Sequence, residues 1–111
     1  MNTRVNYPEI IKAILQDYAE FWAQGEYPSL RPLFNDEQQS YMLLDIGWHG
    51  NQYMHNATIH IEIIDGKIWI QNDDTEEGIA TALLEAGVPN TDIVLGFRHP
   101  QVRPHTEFAV G

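Results

Sequence analysis

The sequence has no cysteine, which excludes a disulfide scaffold, a thiolate-ligated zinc site, an iron–sulfur cluster and a thiol nucleophile. Positive charge is scarce too: 6 Lys and Arg face 16 Asp and Glu in 111 residues, a formal net charge of −10. Such a chain repels phosphate backbones, because sequence-independent binding to nucleic acid rests on Lys and Arg releasing counterions. Direct nucleic-acid binding is therefore expected to be weak or absent. No apolar run reaches the roughly 18 residues a membrane span needs. Arg4, Glu9, Lys12, Asp17 and Glu20 interrupt the start of the chain, so no signal-peptide apolar core is expected and a cytoplasmic protein is. The eight glycines form no phosphate-cradling loop. The only serines, Ser29 and Ser40, stand in turn-like contexts with no nucleophile elbow or neighbouring histidine motif.

What is present suits one folded domain over residues 1–111. Hydrophobic residues make up 43% and aromatics 11%, enough apolar surface to offset the entropy of ordering the chain. The charge is unevenly spread: residues 1–48 carry 3 basic and 7 acidic side chains, 49–97 carry 1 and 8, and 98–111 carry 2 and 1.

Pro8 suits a first helical turn, and Ile10, Ile11, Ile14, Leu15, Tyr18, Phe21 and Trp22 follow at helical spacing to Gly25, predicting a helix over 8–24. The period then becomes two. Leu30–Asn35 reads as a strand that Pro32 confines to an edge. In 41–48, Met42, Leu44, Ile46 and Trp48 share one face, and Tyr41, Leu43 and Asp45 the other. Asp65-Gly66 between β-rich runs predicts a type I′ hairpin joining 57–64 to 67–72. Its register pairs Ile64 with Lys67, Ile63 with Ile68, Glu62 with Trp69, Ile61 with Ile70 and His60 with Gln71. The isoleucines become the buried face, and His60, Glu62, Trp69 and Gln71 a candidate contact surface. Asp74 and Glu77 make a capping-box-like start to a helix over 75–86, which Gly87 and Pro89 end while letting Val88 touch Leu83. Pro100 and Pro104 make 98–105 a loop, and Thr106–Val110 reads as a last strand.

Three chemistries suggest themselves. The acidic run Asp73, Asp74, Glu76 and Glu77 offers oxygens for Mg²⁺, or simply complements a helix dipole. His60 and Glu62 share a face, whereas an unbroken strand points His55 to the opposite one, leaving fewer ligands than a zinc site needs. The stretch from Arg98 to His105 is the one basic segment, with Arg98 and Arg103 suited to an acidic partner or a phosphate. No catalytic or metal-binding residue is nominated and no cofactor is expected. Trp22, Trp48 and Trp69 read as core or interface anchors. An edge strand guarded by a single proline makes a homo-oligomer an expectation as well.

The ordered blocks Gly47-Trp48, His60-Ile61-Glu62-Ile63, Asp65 to Gln71, Thr75-Glu76, Gly78-Ile79-Ala80, Leu83, Gly87-Val88-Pro89, Asp92 to Phe97, Pro100 and Thr106 to Val110 resemble the XisI family, the fdxN element excision controlling factors. The resemblance covers nearly the whole chain. The residue pattern itself predicts an N-terminal helix packed on the isoleucine face of an antiparallel β-meander, a second short helix and a C-terminal strand; the resemblance implies a small single-domain α+β protein. It also implies an accessory protein that controls programmed site-specific DNA excision without being the recombinase, paired with a nuclease-like XisH neighbour. Two other readings accompany it: a direct DNA-binding regulator using the basic loop, and an antitoxin-like inhibitor of a nuclease-like partner. The chain departs from the family pattern at Asn72-Asp73-Asp74 and at Gln101-Val102, both in the acidic direction.

Overall fold

The structure, a computed structural model, describes residues 6–23, 29–75 and 78–111. Helix α1 spans Tyr7–Ala23, and strands β1 (Leu30–Asn35), β2 (Ser40–His49), β3 (Gln52–Ile64) and β4 (Lys67–Asp73) follow as an antiparallel meander. Helix α2 (Ile79–Glu85) then crosses over to β5 (Ile93–Leu95), which pairs with β4 in parallel. The sheet order is β1-β2-β3-β4-β5, and β1, with Pro32 in it, is an edge as its missing N–H donor requires.

The α+β class and the order of elements match expectation, and the differences are local. The Asp65-Gly66 turn has positive φ at both residues (52° and 79°), the type I′ geometry whose twist suits the flanking strands. It sets the predicted pairs from Ile64–Lys67 to Ile61–Ile70. The next predicted pair fails. His60 faces Asn72, because Gln71 is an extra residue bulged out of β4. A second bulge sits beside it: Leu43 pairs with Ile59 and Leu44 with Ala57, leaving Thr58 over. Each bulge is stitched by polar groups, Asn72 Nδ2 donating to the Ala57 carbonyl at 2.8 Å and Asp74 N to the Thr58 carbonyl at 2.9 Å.

The Thr58 bulge reverses the side-chain alternation. His55 pairs with Ile46 and His60 with Met42, so both histidines lie on one face, against the expectation for an unbroken strand. That face carries Met42, Leu44, Ile46 and Trp48. The opposite one carries Tyr41, Leu43, Ile59, Ile61, Ile68 and Ile70, all buried. Ile11, Leu15 and Ala19 of α1 and Ile79 and Leu83 of α2 join these residues in one apolar cluster. Helix α1 lies mainly over β1 and β2.

The second helix starts later than predicted. Strand β4 runs on to Asp73, one residue past the predicted end, and α2 begins at Ile79, not at residue 75. Asp73, not Asp74, anchors the start: its carboxylate accepts from Ile79 N (2.6 Å), Thr75 N (2.9 Å) and Thr75 Oγ1 (2.6 Å). The proposed capping partner Glu77, and Glu76, lie outside the described residues. The C-terminal end is as expected, a Schellman motif. Gly87 takes φ +99°, Val88 N donates to the Leu83 carbonyl and Gly87 N to that of Leu84, both at 3.0 Å, and Val88 is buried.

The expected strand at Thr106–Val110 is reduced to one parallel bridge between Val94 and Ala109, with Ala109 N donating to the Ile93 carbonyl at 2.8 Å. Thr106 explains the shortening. Its Oγ1 donates to the Arg103 carbonyl (2.8 Å) and accepts from Phe108 N (3.3 Å), local bonds that compete with a ladder. The tail still lies along β5 and covers that edge.

Two tyrosines tie elements together. Tyr7 at the start of α1 donates to Asp92 just before β5, and Tyr41 donates to Asp36 at 2.9 Å, which also takes Lys12 Nζ at 2.9 Å. Burial, reinforced by these bonds to carboxylates, pushes both hydroxyls up to about 12. The bond to Asp36 raises Lys12, and the bonds from Lys12 and Tyr41 hold the Asp36 carboxyl below its ordinary value.

Candidate functional site

The face of the sheet away from the helices gathers most of the residues nominated from sequence. Ser40, Glu62 and Trp69 stand abreast on β2, β3 and β4, since Ser40 pairs with Glu62 and Glu62 with Trp69. His60 Nε2 lies 3.0 Å from Ser40 Oγ and 3.8 Å from Glu62 Oε2. Gln71, although bulged, turns its amide to the same place and donates to Glu62 Oε1 at 3.1 Å. His60, Glu62 and Gln71 therefore form one connected polar row with Trp69 at its side.

Trp69 does not stand free. The Arg103 guanidinium lies over its ring, 5.0 Å from the centroid, a cation–π contact across the end of the sheet. Arg103 is also held by carbonyls, donating through Nε to Arg98 O (3.1 Å) and through Nη2 to Gly96 O (3.3 Å). Gly96 and Gly111 border the same indole, and Lys67 Nζ donates to the Gly111 carbonyl at 2.6 Å. The basic loop is thus folded back as a strap over one end of the open face. Arg98 is placed differently: it is exposed, and its guanidinium sits 5.1 Å from the Phe97 ring.

Beside the polar row runs an apolar one. Leu33, Met42, Leu44, Ile46, Trp48 and Tyr53 share this face by register, and Leu33, Trp48 and Tyr53 are 54%, 71% and 52% exposed. Among the described residues, both helices pack on the other side.

One polar grouping escaped the sequence reading, and a second, built on the predicted His60 and Glu62 pair, gains Ser40. Ser29 Oγ donates to Asp45 Oδ1 (2.8 Å) and lies 3.2 Å from His49 Nε2, which is itself 3.0 Å from the same Asp45 oxygen. Asp45 is 1% exposed, a buried carboxylate held by the hydroxyl and the imidazole. A carboxylate in the apolar Tyr41/Leu43 row was the available signal. Ser40, His60 and Glu62 form the second such group. In both, serine and carboxylate meet the same imidazole nitrogen, unlike a nucleophilic relay in which the acid orients the base from the far nitrogen. Among the described residues no group of three or more His, Asp or Glu side chains is placed to hold a metal ion, and no helix is long and apolar enough to cross a membrane.

The family model described as XisI protein matches residues 1–110. The fold is similar to that of a XisI-like protein from Anabaena variabilis, with a TM-score of 0.86 and 33% identity over 95% of this chain and 96% of that one. It is also similar to the fdxN element excision controlling factor XisI from Anabaena variabilis, with a TM-score of 0.78 and 34% identity over 95% and 96% of the two chains. A comparison with curated proteins finds no match.

Proposed function

The chain belongs to the XisI family, and from that membership we propose that it is a non-enzymatic controlling factor for excision of a DNA element, acting through contacts with another protein. The observation that carries this reading is the open sheet face. A connected polar row and an exposed apolar row lie side by side there, the composition of a protein interface with an apolar centre and a polar rim. A solved relative bears the name of an excision controlling factor, which supports the process.

The charge supports the mode of action. A chain of net charge −10 meets DNA poorly, and Arg103 is engaged with Trp69 and two carbonyls. Contact with DNA falls to the partner, a XisH-like protein of the class the family resemblance implies. The protein works in the cytoplasm with the DNA it helps to rearrange. The test is co-purification of this chain with the XisH-like protein of the same genome. Wild type is expected to hold it, and Glu62→Lys and Leu44→Glu to lose it while keeping a native circular dichroism spectrum. Capture by both folded variants, or none by wild type, rejects this contact face.

A further inference from the structure

The β2–β3 hairpin outruns its neighbours. Pairing of β1 with β2 stops at Leu30–Asp45 and pairing of β4 with β3 at Asp73–Ile59, so among the described strands Ile46–His49 and Gln52–His55 pair only with each other. A two-stranded ribbon of this kind is marginal in water unless something is added to it. Its tip is nonetheless ordered by packing, with the Trp48 and Tyr53 rings edge to face at 5.3 Å.

Among the described residues no strand pairs with the ribbon's outer edge, and its geometry follows from the turn. With Gly50-Asn51 as a two-residue loop, His49 and Gln52 are the hydrogen-bonded closing pair. Alternation then makes Trp48–Tyr53 and Ile46–His55 non-hydrogen-bonded pairs, whose backbone groups point away from the partner strand. Tyr53 and His55 thus each present an N–H and a C=O along the free edge of β3. The Ala57 carbonyl, next in the alternation, points the same way and is taken by Asn72 Nδ2 at 2.8 Å.

Edge strands are normally guarded by charge or proline. Here neither is present: residues 46–61 contain no Asp, Glu, Lys, Arg or Pro, in a chain that carries 22 charged side chains elsewhere. The ribbon is therefore where two copies of an acidic protein meet without setting carboxylate against carboxylate. An uncharged strand is also self-complementary, as a two-fold contact demands.

We infer that two copies of this chain pair edge to edge, antiparallel, through the outer half of β3, with the two-fold axis at Met54. Tyr53 of each copy exchanges both backbone hydrogen bonds with His55 of the other, and the two ribbons become one four-stranded sheet. The pairing is independent of the heterologous contact proposed above: partner capture and chain mass are separate measurements, and either can fail alone.

Light scattering on the purified chain is expected to report two chains per particle. His55→Pro removes one outward N–H and spares the β2–β3 ladder, and Tyr53→Glu puts a like charge on each side of the axis; each is expected to halve the mass. In hydrogen exchange the Tyr53 and His55 amides are expected to be protected in wild type and to exchange freely in Tyr53→Glu. Leu33→Glu, away from the edge, is expected to leave the mass unchanged. A wild type that runs as one chain at every concentration overturns the inference, as do fast-exchanging Tyr53 and His55 amides in the wild type. A dimer that survives both folded edge variants, or that Leu33→Glu dissolves, also overturns it.

Discussion

Arg103 and Trp69, nominated from sequence as parts of two separate surfaces, lie against each other, the guanidinium carbon 5.0 Å from the indole centroid. The contact makes the basic loop part of the sheet's architecture. Arg103→Ala removes the cation–π contact and two bonds to carbonyls, and is expected to lower stability by about 1–2 kcal/mol. Arg103→Lys keeps the charge but not the planar fork and should recover less than half of that. Urea unfolding followed by tryptophan fluorescence measures both.

Gly96 packs where a methyl group does not fit. A Cβ there would sit 2.6 Å from Gln71 Oε1, 3.1 Å from Trp69 Cε3 and 3.2 Å from the Ile70 carbonyl oxygen. The glutamine can swing away, but the carbonyl is backbone and the indole is held under Arg103. Gly96→Ala is expected to cost roughly 1–3 kcal/mol through overpacking. Gly50→Ala, with φ +63° and nothing within 4 Å, is expected to cost about 1 kcal/mol from backbone strain alone. Thermal unfolding of the two variants side by side separates crowding from strain.

Asp45 is the buried acceptor shared by Ser29 and His49. Asp45→Ala strips both donors of that acceptor and is expected to cost about 3 kcal/mol, with Asp45→Asn costing roughly half because one oxygen acceptor remains. An unchanged denaturant slope with a shifted midpoint is the expected signature. A loss below about 0.5 kcal/mol for Asp45→Ala would mean the carboxylate is dispensable.

High pH should weaken the fold. Tyr7 and Tyr41 are pushed up to about 12 in the native state from 10.0, so the folded chain holds these protons more tightly than the unfolded one. Their contribution is fully present below pH 10 and is lost as pH rises toward 12. Lys12, also raised, acts in the same direction. For Tyr41 the linkage amounts to roughly 2–3 kcal/mol. Tyrosinate absorbance should lag for these two residues, and Tyr41→Phe should flatten the alkaline loss of stability.

Local grammar was legible where a short segment decides its own shape. Asp65-Gly66 imposes the hairpin and four of its pairs, Pro32 imposes the edge, and Gly87-Val88-Pro89 imposes the helix end. The bulges at Thr58 and Gln71 carry no such mark, because an extra residue becomes visible only when both strands are laid together. One missed bulge moved His55 to the other face. The candidate site was half legible: His60, Glu62, Trp69 and Gln71 share a face as alternation predicts. The approach of Arg103 to Trp69 depends on a loop closing over many residues, and no spacing rule announces it. Asp45 was the exception, a carboxylate out of place in an apolar row.

The parallel pairing of β5 sets an order in time. Strands β1 to β4 each close on their neighbour in sequence through short turns, so the meander can zip from its own hairpins as the chain emerges. Strand β5 has no such shortcut. It reaches β4 only after α2 has docked and turned the chain around, and the tail that covers Val94 comes after that. A nascent chain halted before β5 therefore shows a bare flank of β4 and an uncovered Trp69, and its last segment acts as the latch that ends this vulnerable interval.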